Sequence, residues 1–101
     1  MKTEVYLNLR DGIRGGEVAE IVAREMQVPS GYEVYPNLDE RCWDVYVGGK
    51  EHDSRDGGVR VLSVSLREPG NRKVKVFSSI LDLSNQKEHL EHAIHSADPQ
   101  E

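Results

Sequence analysis

The sequence predicts an α+β fold in two layers: a mainly antiparallel sheet of about five strands with two helices on one face, in the order β-α-β-β-β-β-α. Three observations lead there. Several short segments alternate in polarity or are rich in Val, Tyr, Trp and Phe, the types that suit a pleated surface. Two longer segments repeat apolar residues at helical spacing. Turn-forming residues stand between successive strands, a pattern that joins antiparallel neighbours. With 101 residues, 37% apolar and 31% charged, the chain has material for one modest core. A single domain over residues 1–97 and a frayed tail over 98–101 are therefore expected.

Residues 2–9 form the first strand, with Val5, Leu7 and Leu9 on one face and Glu4, Tyr6 and Asn8 on the other. Three glycines between Asp11 and Gly16 end it. In the helix that follows, Val18, Ala19, Val22 and Met26 gather on one side and Glu17, Glu20, Arg24 and Gln27 on the other, until Pro29-Ser30-Gly31 stops it. Residues 32–36 and 41–47 are two strands around the turn Pro36-Asn37-Leu38-Asp39. The stretch 48–58 has four glycines and no periodicity, and reads as an exposed connection. Residues 59–67 carry apolar side chains at Val59, Val61, Leu62, Val64 and Leu66. The change of phase at Val61-Leu62 requires either a bulge or a central strand covered on both faces.

The register of the next hairpin follows from what each loop length places opposite what. A two-residue loop at Pro69-Gly70-Asn71 would set Leu66 against Lys73 and Val64 against Lys75, mixing apolar and charged side chains on one face. A three-residue loop sets Glu68 against Arg72, Leu66 against Val74 and Val64 against Val76, which separates the two kinds. The second register is the one predicted. A last helix spans roughly residues 85–96, capped by Ser84 or Asn85, with Leu90, Ile94 and Ala97 facing inward.

Charge is segregated along the chain. Residues 1–57 carry a net of −5, residues 58–80 a net of +4 and residues 81–101 a net of −4, for a total of −5. A nucleic-acid partner is disfavoured by that total, because neutralising phosphates requires a positive balance, while the basic island keeps the idea open. No apolar run approaches the ~20 residues that a membrane-crossing helix needs, and the first residues lead into an alternating strand instead of the continuous apolar stretch of a secretory signal. The one cysteine, Cys42, closes no intrachain disulfide and fits a reducing, cytoplasmic setting.

Four patterns invite a chemical reading, and in each the plainer one prevails. Asp11-Gly12-Ile13-Arg14-Gly15-Gly16 stands between strand and helix, where phosphates bind, but matches no phosphate-loop spacing; we read a flexible connection. His89, His92 and His95 share a helix but sweep over ~120° with no cysteine near, so they read as a solvated face and no metal is expected. His52, Asp53 and Ser54 are consecutive and cannot adopt triad geometry, nor does the following Arg55-Asp56-Gly57 complete a calcium loop. Cys42 reads as a buried structural thiol. No enzyme and no cofactor are therefore expected.

The remaining lead is the basic hairpin. In the chosen register Arg67 lies across from Lys73 and Ser65 from Lys75. Arg67, Lys73 and Lys75, joined by Phe77 opposite Ser63 and by Arg72 in the turn, then occupy the face away from Val64, Leu66, Val74 and Val76. These charges are solvated, as on a lysine-rich strand that deters edge pairing, or covered by Glu4 or Glu33 from a neighbouring strand, or covered by an acidic partner. The expected function is a non-enzymatic interaction module that holds an acidic protein partner on Arg67, Arg72, Lys73, Lys75 and Phe77. The alternative is single-stranded nucleic-acid binding on the same face, with Phe77, Tyr6 or Tyr46 stacking on bases. A ligand-binding or hydrolytic role for the glycine loop with Asp11 and Arg14 ranks third. A homodimer would cover Tyr6, Trp43 or Tyr46, and no membrane contact is expected.

Overall fold

The computed structural model describes residues 2–9, 12–49, 55–65 and 73–96. In chain order these form β1 (Thr3–Asn8), α1 (Gly15–Glu25), β2 (Glu33–Asn37), β3 (Cys42–Val47), β4 (Val59–Ser65), β5 (Lys73–Ser78) and α2 (Lys87–Ser96). The strands make one antiparallel sheet in the order β1-β5-β4-β3-β2. From β2 to β5 the chain meanders, and β1 closes the far edge beside β5. The first two strands are thus parallel but at opposite edges, and α1 carries the chain between them. It packs on β2, β3 and β4, while α2 packs on β1 and on α1.

Both helices cover one sheet face, and the core lies between the layers. Leu7, Val74, Val76, Val64, Leu62 and Val45 rise from the sheet to meet Val18, Ala19 and Val22 of α1 and Leu90 and Ile94 of α2. The expected hairpin register is present: Val64 faces Val76 and Ser63 faces Phe77. The turn itself, residues 66–72, and the tail from residue 97 lie outside the described residues. Both alternatives for the phase change hold together. Leu62 faces Val45 while Arg60 faces Tyr46, so Val61 is an extra, bulged residue; β4 is also the middle strand, and Val61, Leu62, Ser63 and Val64 are all buried.

Three local expectations are corrected. Trp43, expected to need cover, points into the helix layer, where Gly15 and Gly16 of α1 lie directly on its ring. The glycines are therefore a close-packing device as much as a connection: a Cβ at Gly15 would stand 2.8 Å from Trp43 Cδ1 and Nε1. Secondly, α1 ends at Glu25, before the Pro29 stop. Gln27 takes a left-handed φ of 60°, and the N–H groups of Gln27 and Val28 donate to Arg24 O at 3.1 Å and Ala23 O at 2.9 Å. These two bonds are those of a Schellman cap, in which glycine is the usual residue at the left-handed position. Thirdly, neither Ser84 nor Asn85 caps α2. Asn85 has φ 65° in the preceding turn, and Gln86 O accepts the first helical bond from Leu90 N.

An exposed strand edge invites pairing with other chains, and at β1 the chain blocks it with side chains. Lys87 Nζ donates to Tyr6 O at 2.9 Å, Glu91 Oε2 accepts from Asn8 N at 2.6 Å, and His95 Nε2 lies 3.2 Å from Asn8 O. These three residues recur every four along α2, so one stripe of the helix follows the strand. At the other edge, β2 is five residues long and contains Pro36, which has no N–H to offer.

Candidate functional site

With the helices on one face, the opposite face of the sheet is the place to seek a site. On β5 the pleat sends Val74 and Val76 into the core and Lys73, Lys75 and Phe77 outward. Their cross-strand partners on β1 are Asn8, Tyr6 and Glu4 in turn. Lys73, Lys75 and Phe77 are thereby brought together as the sequence implied, whereas Arg67 and Arg72 lie outside the described residues. Glu4 supplies part of the charge cover, its Oε2 standing 3.9 Å from Lys75 Nζ. Glu33 does not, because it is on β2 at the far edge, where its carboxylate accepts from Tyr35 OH at 2.9 Å. Two ammonium groups approach Phe77: Lys75 Nζ lies 5.2 Å and Lys2 Nζ 5.3 Å from the ring centroid, within cation–π range. Tyr6 beside them is 54% exposed. Tyr46 is on the same face, three strands away, edge-on to Tyr35 at 6.0 Å.

The middle of this outer face holds a buried polar network to which sequence reasoning gave no role. Asp44 is almost fully enclosed. Its Oδ1 accepts from Ser63 Oγ at 2.6 Å and from the Cys42 thiol at 3.2 Å; its Oδ2 accepts from Asn37 Nδ2 at 3.0 Å and lies 3.6 Å from Arg60 Nη1. Arg60 Nη1 also donates to Glu40 Oε2 at 2.9 Å. Burial alone would raise the Asp44 pKa, but hydrogen bonds from Ser63, Asn37 and Cys42 and the Arg60 charge together hold it below the ordinary carboxyl value. The signal available in the sequence was a carboxylate among Cys, Trp, Val and Tyr in a strand, which demands partners if it is buried.

The same surroundings define Cys42. Burial, then the hydrogen bond and charge of Asp44, push its thiol up to about 12, so it stays protonated at neutral pH and is a poor nucleophile. Glu40, Cys42 and Asp44 do bring one ligand-type atom each within 4.8 Å. Arg60 stands against both carboxylates, however, and supplies the positive charge that a cation would bring.

The other singled-out motifs are dispersed. His89 Nε2 lies 3.1 Å from Glu25 Oε1 on α1, His95 meets the β1 edge, and His92 is exposed between them. Gly12 has a left-handed φ of 82°, and Arg14 precedes α1 with no side-chain cap. Asp11, His52, Asp53 and Ser54 lie outside the described residues. Two depressions mark the outer side. One, of about 280 Å³, is lined by Tyr35, Leu38, Asp39, Asp44 and Tyr46, with the Arg55 guanidinium 4.4 Å from the Tyr35 ring centroid. A smaller one, of about 90 Å³, opens between Phe77, Arg60 and Lys2. No described helix is long and apolar enough to cross a membrane. Comparison of the chain with known protein families, curated proteins and solved structures finds no match.

Proposed function

We propose that the chain is a non-enzymatic interaction module that holds an acidic polypeptide across the outer face of β1 and β5. One observation carries the reading: Lys73 and Lys75 are presented side by side with Phe77 and Tyr6 on the face the helices leave uncovered. Such a face offers apolar area together with positive charge, which suits an acidic segment that also carries apolar side chains. Glu4 offsets Lys75 only partly. Their 3.9 Å contact joins two side chains that are 35% and 46% exposed, and pairs of this kind contribute at most about 1 kcal/mol and exchange readily. The segment joining β4 to β5 adds Arg67 and Arg72 to the same basic stretch. A cytoplasmic setting, where a lone thiol stays reduced, accompanies this reading.

A second reading is favoured by one feature, the placement of Tyr6, Phe77 and Tyr46 on a common face, as single-strand nucleic-acid binders arrange their stacking rings. The net charge of −5 opposes it. Fluorescence anisotropy at low salt separates the two, using a labelled glutamate-rich peptide with interspersed leucines and a labelled oligothymidylate. The expected result is saturable peptide binding, weakened about tenfold or more (~1.4 kcal/mol) in the Lys73→Glu/Lys75→Glu double variant. Absence of peptide binding, or an unchanged affinity in that variant, overturns the proposal. Tighter binding of the oligonucleotide transfers the face to the second reading, and self-association without peptide binding, seen by sedimentation, assigns it to a second copy.

A further inference from the structure

We infer that the depression where β4 and β5 part is a seat for one oxyanion group, a carboxylate or phosphoryl, and that it anchors the acidic polypeptide proposed above. The identity of the partner rests on that proposal; the seat itself rests on the geometry of the sheet.

The depression lies where the β4–β5 pairing ends, beside the bulge of β4. The two strands are paired through Val64 with Val76 and Ser63 with Phe77. Two residues further, β4 carries Val61, the extra residue in its pairing with β3, and a bulge bends the strand that carries it. There Ser78 spans the gap with its side chain, its Oγ donating to Val61 O at 2.5 Å. The opening is about 90 Å³ and is bounded by Lys2, Arg60, Ser63, Phe77 and Ser79, with no carboxylate in its lining. It has room for a carboxylate or a phosphoryl group.

The donors match such a group. Lys2 is held with its ammonium 5.3 Å from the Phe77 centroid, and among the described residues it makes no ion pair. Ser79 is exposed and its hydroxyl has no hydrogen-bond partner among the described residues. Arg60 meets both Glu40 and Asp44 through Nη1 alone, so its remaining N–H groups are not engaged by those acids. Lys2, Arg60 and Ser79 thus line one small hollow, and their side chains are of the donor types that an oxyanion takes. Phe77 forms the wall on which the carbon stem of that anion would rest, and Lys75 and Lys73 continue outward along β5 from this point.

The test is a pair of NMR titrations of the ¹⁵N-labelled protein, one with inorganic phosphate and one with acetate, each at constant ionic strength. Saturable shifts at Ser63, Phe77 and Ser79 are expected, with Kd on the order of 1–10 mM. Lys2→Ala and Ser79→Ala should each weaken binding about two- to fivefold without altering the thermal midpoint. Arg60 is left in place because it also holds Asp44. Absence of saturable shifts at these residues, or unchanged phosphate affinity in Lys2→Ala, overturns the seat. A phosphoserine version of the glutamate-rich peptide that binds more tightly than the unmodified one assigns a phosphoryl group, and equal affinities assign a carboxylate. The two proposals fail separately. Phosphate binding without peptide binding leaves the seat and removes the partner class; peptide binding that depends on Lys75 but not on Lys2, with no phosphate shifts, leaves the surface and removes the seat.

Discussion

Replacing Gly15 and Gly16 separately by alanine should move stability in opposite directions. At Gly15 an added Cβ would lie 2.8 Å from both Cδ1 and Nε1 of Trp43, whereas carbon contacts settle at about 3.5–4.0 Å. The ring or the first turn of α1 must therefore retreat by about 0.7 Å or more, and overpacking of this sort costs about 1–3 kcal/mol. Alanine's higher helix propensity returns at most about 1 kcal/mol, and less at a helix's first residue. A net loss of roughly 1–2 kcal/mol follows, or about 5–15 °C in Tm for a domain of this size. At Gly16 the same atom would find Trp43 at 3.5–3.6 Å, an ordinary contact. There the propensity gain survives, and Gly16→Ala should stabilise by about 0.5 kcal/mol. Trp43 is the chain's only tryptophan, so urea unfolding followed by its emission reads the affected contact directly. A Gly15→Ala protein as stable as the wild type would refute the close packing of α1 on this ring.

Three further outcomes are expected. Asp44→Ala deprives Ser63 and Cys42 of their acceptor and leaves Asn37 and Arg60 with Glu40 alone of their two acids, and should destabilise by about 2–4 kcal/mol in urea unfolding; a loss below about 1 kcal/mol would mean that the network is dispensable. Because the folded protein holds the Asp44 carboxyl below its ordinary value, the unfolded chain binds the proton more readily. The associated stability is complete above the ordinary carboxyl range and is lost as pH falls below about 4, so the wild-type urea midpoint should drop there more steeply than that of Asp44→Ala; parallel pH profiles would contradict this. Gln27→Gly relieves a left-handed residue at the end of α1 and should raise the unfolding free energy by about 0.5 kcal/mol, seen as a higher urea midpoint at unchanged m, after the greater freedom of glycine in the unfolded chain is allowed for; a lowered midpoint would show that the Gln27 side chain matters more than its φ of 60°.

The fold was legible wherever neighbouring side chains report on one local geometry. Alternation marks β1, the helical stripe of Val18, Ala19 and Val22 marks α1, and the demand that Val64 and Leu66 meet valines instead of lysines gives the β4–β5 register. The bulge at Val61 showed as a break in phase. Helix ends were less legible. At α1 the terminating signal is a glutamine in a conformation that glycine normally takes, and at α2 the helix begins after Asn85 has turned the chain.

Of the candidate site, the sequence determined which β5 residues share a face, because a pleat alternates whatever surrounds it: Lys73, Lys75 and Phe77 had to lie together. It also determined the segregation of charge. Tertiary structure alone decided what those groups meet. Lys2 reaches Phe77 because β1 pairs with β5, Glu4 and not Glu33 approaches Lys75 because of strand order, and Asp44 gathers Asn37, Cys42, Arg60 and Ser63 from three adjacent strands. The stripe of Lys87, Glu91 and His95 acquires its purpose only where it lies along β1. Local patterns follow from the period of the backbone, which sequence carries; contacts between distant residues follow from which strand lies beside which, and that is settled by packing the whole core at once.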